Sequence, residues 1–379
     1  MKEVFNMKGK KITYSQVGDN YDTKDPVKKM AQTAAAATAN HLQKKNFKEI
    51  SDSRGESAYV WSLGSTRDKK FLLASVIEGL GTKNLVADDM RKITGETYYE
   101  VIGHDTVATI INDLITVGAT PLTIHAYWAI EDNSWLQDEK RMKDFIKGWK
   151  SACDISGVSW GGGETPTLKG IVLPGTVDLG GSAVGIINPS QRLITDKKLM
   201  SEDRILLLKS NGINANGLSL ARAISKKLKK GYATKMDNGE MYGEEILRKT
   251  NIYANVLDRL FEHKIDIHYI SNITGHGLRK IMRARRLFTY HIEEIFEPQE
   301  LFLFIQKHSK LSDYEMYGTF NMGMDYALFL NKKDVKRAQK IIRRAGFESI
   351  EAGYVETGKK QVIIEPKDII FSSETLNLR

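Results

Sequence analysis

Two blocks of the 379-residue chain combine glycine with acidic, basic and amide side chains. One is Ile77-Glu78-Gly79-Leu80-Gly81-Thr82-Lys83, and the other is Gly103-His104-Asp105-Thr106-Val107 running on to Asn112-Asp113-Leu114. A polyphosphate and its metal need this mixture: backbone that can approach closely, a cation for charge, and carboxylates to hold Mg²⁺. Gly79 and Gly81 open backbone conformations closed to other residues, and Lys83 offers a point charge for phosphate. The block is not the Walker-type phosphate loop, and a tight turn with a surface lysine is its other reading. Asp105 and Asn112 are seven residues apart, so on a helix they project from one face, with Asp113 rotated away. A helix cap at Asp105 with a solvated Asn112-Asp113 pair is the alternative there.

Further blocks follow. Gly161-Gly162-Gly163-Glu164-Thr165 places a carboxylate after three glycines, a costly use of backbone entropy unless something must approach closely. Ser210 to Gly217, with Asn214 and Asn216, links a strand to a helix start, which suits an anion. Thr274-Gly275-His276-Gly277 has the same form, with His276 either an acid–base group or an exposed loop histidine. In Glu315 to Gly323, Thr319 and Asn321 are the residues placed to face a ligand, while the Met and Phe side chains read as core.

The elements that must position these blocks alternate. A helical, Ala-rich patch runs from Val27 to Leu42 behind Asp25 and Pro26. Strands are expected at Phe71–Ile77, Leu122–Ile130 and Gly175–Ile187, with helices from Val101 to Val117 and from Asp138 to Ile155. The glycine triplet is expected to break the chain after a short strand at Val158–Trp160. Beyond Asn188-Pro189-Ser190 the spacing predicts strands at Arg204–Lys209, Asp266–Ile273, Phe288–Ile292, Tyr326–Leu330, Gly353–Val355 and Val362–Glu365. Helices are expected near Asn216, in two long patterns before Asp266, from Gly277, from Gln299, and over Val335–Arg344. Strands alternating with helices in both halves predict two mixed α/β domains, 1–190 and 191–379.

Composition narrows the class. The chain is long enough for two full cores. It has no apolar run long enough to span a membrane and no apolar leader at Met1–Phe5. Cys153 is the only cysteine, which excludes intrachain disulfides and points to a reducing cytoplasm. The net charge of +9 raises the question of nucleic acid. The basic clusters Lys226–Lys230 and Arg283–Arg286, however, lie at helix ends without interleaved aromatic residues, and read as a solvated surface.

In this order and spacing, the blocks resemble the aminoimidazole ribonucleotide synthetase (phosphoribosylformylglycinamidine cyclo-ligase) family of purine biosynthesis. The matching strings are Glu78 to Lys83, Gly103 to Leu114 with Gly118 to Leu122, Gly162 to Thr165, Asn216 to Leu220, Asn272 to Gly275, and Met316-Tyr317 with Thr319-Phe320-Asn321. The resemblance implies a cytoplasmic homodimer whose first domains pair their sheets, with a C-terminal α/β domain alongside. It implies ATP and Mg²⁺ in a cleft and a phosphorylated ribonucleotide held partly by second-domain loops. Asp105 and Lys83 would be catalytic. Glu78, Asp105 and Asp113 would hold metal, and Glu78, Gly79, Gly81, Thr82, Asn112, Asp113, Gly163, Glu164 and Thr165 would hold nucleotide. Asn214, Asn216, Gly217, Asn272, Thr274, Gly275, Thr319 and Asn321 would meet substrate. The chain departs from the family pattern at Glu78 (usually aspartate), at Asn214 and Asn272 (usually histidine) and at Gly318 (usually arginine). Ser51 to Glu56 also replaces a glycine-rich stretch.

Overall fold

The computed structural model describes residues 30–63 and 71–376. The start of the Ala-rich helix, with Asp25 and Pro26, lies outside them; residues 30–37 are helical. The first sheet has six strands in the order β1 (Phe47–Glu49), β2 (Tyr59–Leu63), β3 (Leu72–Gly79), β6 (Val177–Ile187), β4 (Thr120–Ile130) and β5 (Ser159–Glu164). All of its pairs are antiparallel except β4 with β5. Three helices accompany it: α1 (Lys83–Thr94), α2 (Tyr99–Leu114) and α3 (Glu139–Ser156).

Alternation sets which sheet face is covered. Along β3, Leu72, Ala74 and Val76 are buried, and Glu78 continues their face, while Ile77 points the other way and is 78% exposed. Helix α2 is apolar over most of its circumference, and thirteen of its sixteen residues are buried, as expected of a helix enclosed on several sides. It crosses α3 closely: a Cβ on Gly103 would lie 2.8 Å from the Trp149 backbone nitrogen, and one on Gly148 would lie 2.9 Å from the Glu100 Cα. Around this crossing Tyr99, Trp128, Trp135, Phe145 and Trp149 pack edge to face, which adds to the area they bury.

The second sheet has seven strands in the order β13 (Ile369–Ser372), β12 (Gln361–Ile364), β9 (Phe288–Ile292), β11 (Ser349–Thr357), β7 (Arg204–Lys209), β10 (Met324–Leu330) and β8 (Ile267–Asn272). Only β12 with β9 is parallel. Every residue of β8 and β10 is buried. Helices α4 (Leu218–Ser225), α5 (Ala254–Glu262), α6 (Glu300–Ser309) and α7 (Val335–Arg344) complete the unit.

The structure differs from the sequence expectations in three places. The glycine triplet does not break the chain but lies inside β5. Glycine is needed there because a Cβ on Gly163 would meet the Ala126 Cβ at 2.8 Å on the neighbouring parallel strand. The two long helices expected before Asp266 are a five-residue helix, Tyr242–Ile246, and the nine-residue α5. Helix α1, twelve residues long, was not expected from the spacing; it begins at Lys83, the last residue of the Glu78–Lys83 block.

Candidate functional site

Strand ends from both sheets meet. Strand β3 delivers Glu78 and Gly79 at its C-terminal end, and the chain turns through Leu80–Thr82 into α1. In the second sheet, Lys209 pairs with Met324 and Asn272 with Tyr326. The loops after β7 and β8 therefore leave from the edge where β10 enters. A Cβ on Gly81 would lie 3.9 Å from the Ala215 carbonyl oxygen, so the first-domain turn faces the second-domain loop 210–217.

Helix α2 closes the seam between the domains. Its polar face binds the segment Arg248–Tyr253. Asp105 Oδ1 accepts from the Thr250 backbone N–H (2.8 Å) and Asp105 Oδ2 from Lys83 Nζ (2.5 Å), while Lys83 also donates to the Arg248 carbonyl (2.8 Å). Neither ionic side chain reaches solvent. Two turns on, Asn112 donates to the Asn251 carbonyl (2.7 Å) and accepts from the Tyr253 N–H (3.1 Å), and its own carbonyl accepts from Tyr326 Oη (3.0 Å). His104 adds a bond from Nε2 to the Thr250 carbonyl (2.9 Å), and burial lowers its pKa. The expectation that Asp105 and Asn112 share one helix face holds, but that face meets protein. Lys83, Asp105 and Asn112 spend their polar atoms on the seam, so their geometry is that of positioning groups.

Asp113 turns toward Glu78 instead. Burial and the neighbouring Asp113 carboxylate push Glu78 up to about 7, against an opposing pull from Lys280. Asn272 Nδ2 donates to Asp113 Oδ1 (2.6 Å). Lys280 Nζ donates to Thr274 Oγ1. Two carboxylates from the first domain thus face an amide, a hydroxyl and an ammonium from the second. Like charges held close in a desolvated site favour a proton or a cation between them. Among the described residues, no group of three or more His, Cys, Asp or Glu side chains is placed to hold a metal unaided. A pair of carboxylates completed by ligand phosphates is the arrangement that suits Mg²⁺. Lys280 was missed in the sequence; its only signal is its place three residues beyond Gly277 in a short helical turn.

The remaining residues fall into separate groups. Pairing places Gly79, Gly180, Tyr127 and Glu164 in one row across the first sheet. Three strand spacings put Glu164 roughly 14 Å from Gly79. Gly163, Glu164 and Thr165 are exposed at the same sheet end but do not join the Glu78 cluster within one chain. Asn321 is buried, donating to the Gly212 carbonyl (2.9 Å) and accepting from the Gly323 N–H (2.9 Å) and Ser210 Oγ (3.2 Å). It shapes loop 210–217 from behind. Gly217, with φ of +77°, packs against the Phe320 ring. Asn216, Thr274, Gly275 and Thr319 are half-buried. His276 is buried at a left-handed backbone position. Arg279 donates to the Gly318 carbonyl, so a guanidinium from another element borders that glycine. Cys153 is buried, its thiol pushed up to about 11, the state of an inert core residue.

Comparison with known proteins places this architecture. Residues 55–187 match the family model for the AIR synthase related protein N-terminal domain, and residues 201–365 match the one for its C-terminal domain. The phosphoribosylformylglycinamidine cyclo-ligase of Methanosarcina barkeri is 34% identical over 274 residues, covering 72% of this chain and 78% of the relative. That of Methanobrevibacter smithii is 29% identical over 334 residues, covering 88% and 91%. Among solved structures, a HypE–HypF complex superposes with a TM-score of 0.55 at 15% identity over 81% of this chain and 88% of the matched chain. Thiamine monophosphate kinase from Aquifex aeolicus gives 0.52 at 16% identity over 80% and 91%. A hydrogenase maturation protein HypE in complex with ATP gives 0.53 at 15% identity over 73% and 81%. At these identities the solved structures speak to the fold.

Proposed function

The chain belongs to the AIR synthase related family, and we propose that it is an ATP-dependent cyclo-ligase that closes the imidazole ring of formylglycinamidine ribonucleotide. The relatives named above carry that activity in their names. The observation that carries the reading here is the convergence of Glu78 and Asp113 on Asn272, Thr274 and Lys280 at the domain junction.

ATP is the nucleotide and Mg²⁺ its ion in this reading. Glu78 and Asp113 would hold the metal together with phosphate oxygens, and the ion would supply neutralisation of phosphate charge. The substrate's amide oxygen attacks the γ-phosphorus as the bond to ADP breaks. An internal nitrogen then attacks the activated carbon, phosphate departs with the oxygen, and a proton is lost from the ring nitrogen. The chain's part is positioning and charge. Lys280 faces the developing phosphate charge, the Gly79–Thr82 turn lets backbone approach, and the Lys83–Asp105 pair holds that turn against the second domain.

The face of the first sheet opposite α2, which no other described element covers, supports a homodimer. Ile77, Leu122 and Tyr127 are 78%, 45% and 41% exposed on the side opposite α2, and a sheet with one apolar face bare requires a second layer. Sheet-to-sheet pairing of two copies supplies it. A cytoplasmic location is supported by the single buried thiol. Among the described residues no helix is long and apolar enough to cross a membrane. The test is ADP release. Release that depends on formylglycinamidine ribonucleotide is expected; release only with a different phosphoryl acceptor would mark a phosphotransferase, and none would mark a paralogue without turnover.

A further inference from the structure

Charged and polar groups at the domain junction find partners within the protein. Asn214, for one, donates to the buried Asp325 Oδ2 (2.9 Å), and Asp325 Oδ1 accepts from Tyr253 Oη (2.5 Å). The cations of one outer helix do not. Residues 332–344, a short turn (Lys332–Asp334) leading into α7, carry seven cations against the single carboxylate of Asp334. The whole chain has a net charge of +9, so these thirteen residues hold six of the nine excess positive charges. Arg337 pairs with Asp334 (2.9 Å) and donates to the His263 carbonyl (2.8 Å). The other six, Lys332, Lys333, Lys336, Lys340, Arg343 and Arg344, are exposed, and no carboxylate among the described residues lies within ion-pair distance of them.

Elsewhere on this protein a surface helix is neutralised. On α3, Lys140, Lys143, Lys147 and Lys150 each meet a carboxylate at 3.0 Å or less. Helix α7 gains nothing in stability from its own arrangement. Lys336–Lys340 and Lys340–Arg344 are like-charge pairs at i,i+4 spacing, which destabilise a helix. Lys332, Lys333 and Lys336 crowd the N-terminal end, where the dipole favours anions; only Arg343 and Arg344 sit where it favours cations. The stripe Val335, Ala338, Ile341 and Ile342 is buried, so packing holds the helix against this repulsion. Lys336, Lys340, Arg343 and Arg344 then fall within about 100° of arc on its outer side. Steering of anionic ligands to the junction does not account for the charge. Asn272 pairs with Tyr326, and Leu330 lies four residues further along β10, roughly 13 Å away. Lys332 and Lys333 follow Leu330, beyond a Debye length of about 8 Å at physiological salt.

We propose that the outer face of α7 is a docking surface for the phosphate backbone of a nucleic-acid duplex, bound without sequence preference. Six point charges on a rigid helix complement a polyanion and need no other chemistry to do so. Other anionic partners fit less well. A helix that lies on a membrane presents its apolar face to lipid, and the apolar stripe of α7 is already buried in the protein. An acidic protein partner would need aromatic or apolar anchors at the centre of the contact, and the exposed positions of residues 332–344 carry none. The lack of aromatic residues also removes a stacking platform for bases, which favours a duplex over a single strand and backbone over sequence. The inference is independent of the ring-closing reaction.

The experiment is fluorescence anisotropy of a labelled, mixed-sequence duplex of about 20 base pairs, as DNA and as RNA, titrated with the full chain at increasing salt. Binding is expected at low salt, equal for unrelated sequences, with log affinity falling against log salt at a slope of about −5 for six phosphate contacts. The variant Lys336→Gln/Lys340→Gln/Arg343→Gln, changed only at exposed positions, binds about tenfold or more weakly and has a slope shallower by about 3. The variant Lys226→Gln/Lys229→Gln/Lys230→Gln removes the same charge from another exposed cluster and keeps wild-type affinity and slope. Absence of duplex binding by the wild type at low salt would overturn the proposal. So would equal losses in the two variants, which would mark diffuse attraction to net charge. Tighter binding to phosphatidylserine vesicles than to duplex, lost in the α7 variant, would overturn it as well and assign the face to a membrane.

Discussion

Lys83 Nζ and Asp105 Oδ2 lie 2.5 Å apart with neither side chain reaching solvent. The pair joins the start of α1 to the middle of α2, and through Arg248 and Thr250 it joins both to the second domain. A buried ion pair adds little over an apolar pair of equal shape, but losing one member strands the other charge.

Lys83→Met and Asp105→Asn are each expected to lower unfolding free energy by about 3–5 kcal/mol, whereas the double variant Lys83→Met/Asp105→Leu recovers much of that loss. Denaturant unfolding measures it. Equal, additive losses would mean that the two charges are not coupled.

Asp325 gives a pH dependence whose sign is fixed by burial, which pushes its carboxyl up to about 6. The folded chain then holds a proton that the unfolded chain releases near pH 4. Stability from this group is complete below pH 4 and falls as pH rises to about 6. Asp325→Asn lacks this fall. Its stability relative to wild type is expected to rise by roughly 2 kcal/mol between pH 4 and pH 6.5, at about 1.4 kcal/mol for each tenfold change in proton affinity between the folded and unfolded chain. A difference that stays flat across that range would place an ordinary carboxyl at position 325.

Ile77 stands on the uncovered sheet face, next to Ser182 on β6. Ile77→Glu is expected to convert a dimer to a monomer of 42.7 kDa in light scattering, with secondary structure retained. A wild-type monomer at micromolar concentration would contradict the pairing of sheets.

The elements were legible in the sequence where apolar residues form an unbroken run or a single stripe. Helix Val335–Arg344 and strands Arg204–Lys209 and Phe288–Ile292 have the bounds that their apolar spacing indicates. The helix buries one stripe of Val335, Ala338, Ile341 and Ile342, and the two strands are apolar runs buried on both faces. Helix α1 left no such trace, because the Gly79–Thr82 turn and the charged run around Asp88, Asp89, Arg91 and Lys92 mask its narrow buried stripe of Lys83, Val86, Ala87 and Met90. The candidate site was legible as residue types only. Asp105, Asn112 and Asp113 share a helix and a chemistry, yet only Asp113 reaches Glu78. The others are claimed by the segment 248–253, some 140 residues away in the chain and without a motif of its own. Lys280 and Asp325 were invisible for the same reason: their partners lie on other elements.

Glu78 and Asp113 oppose each other, and this makes the sign of their mutations unusual. Glu78→Gln removes a like-charge contact in a desolvated place, so the ligand-free chain is expected to gain stability while losing its cation site. Asp113→Asn follows the same logic, less the charge assistance in the bond from Asn272.

The most direct measurement is calorimetry of Mg·ATP on wild type, Glu78→Gln and Asp113→Asn, with thermal melts of the same samples. The expected result is a loss of at least tenfold in Mg²⁺-dependent nucleotide affinity in both variants, with melting temperatures equal to or above wild type. Wild-type affinity in both, with folding intact, would contradict a nucleotide–metal site at this junction.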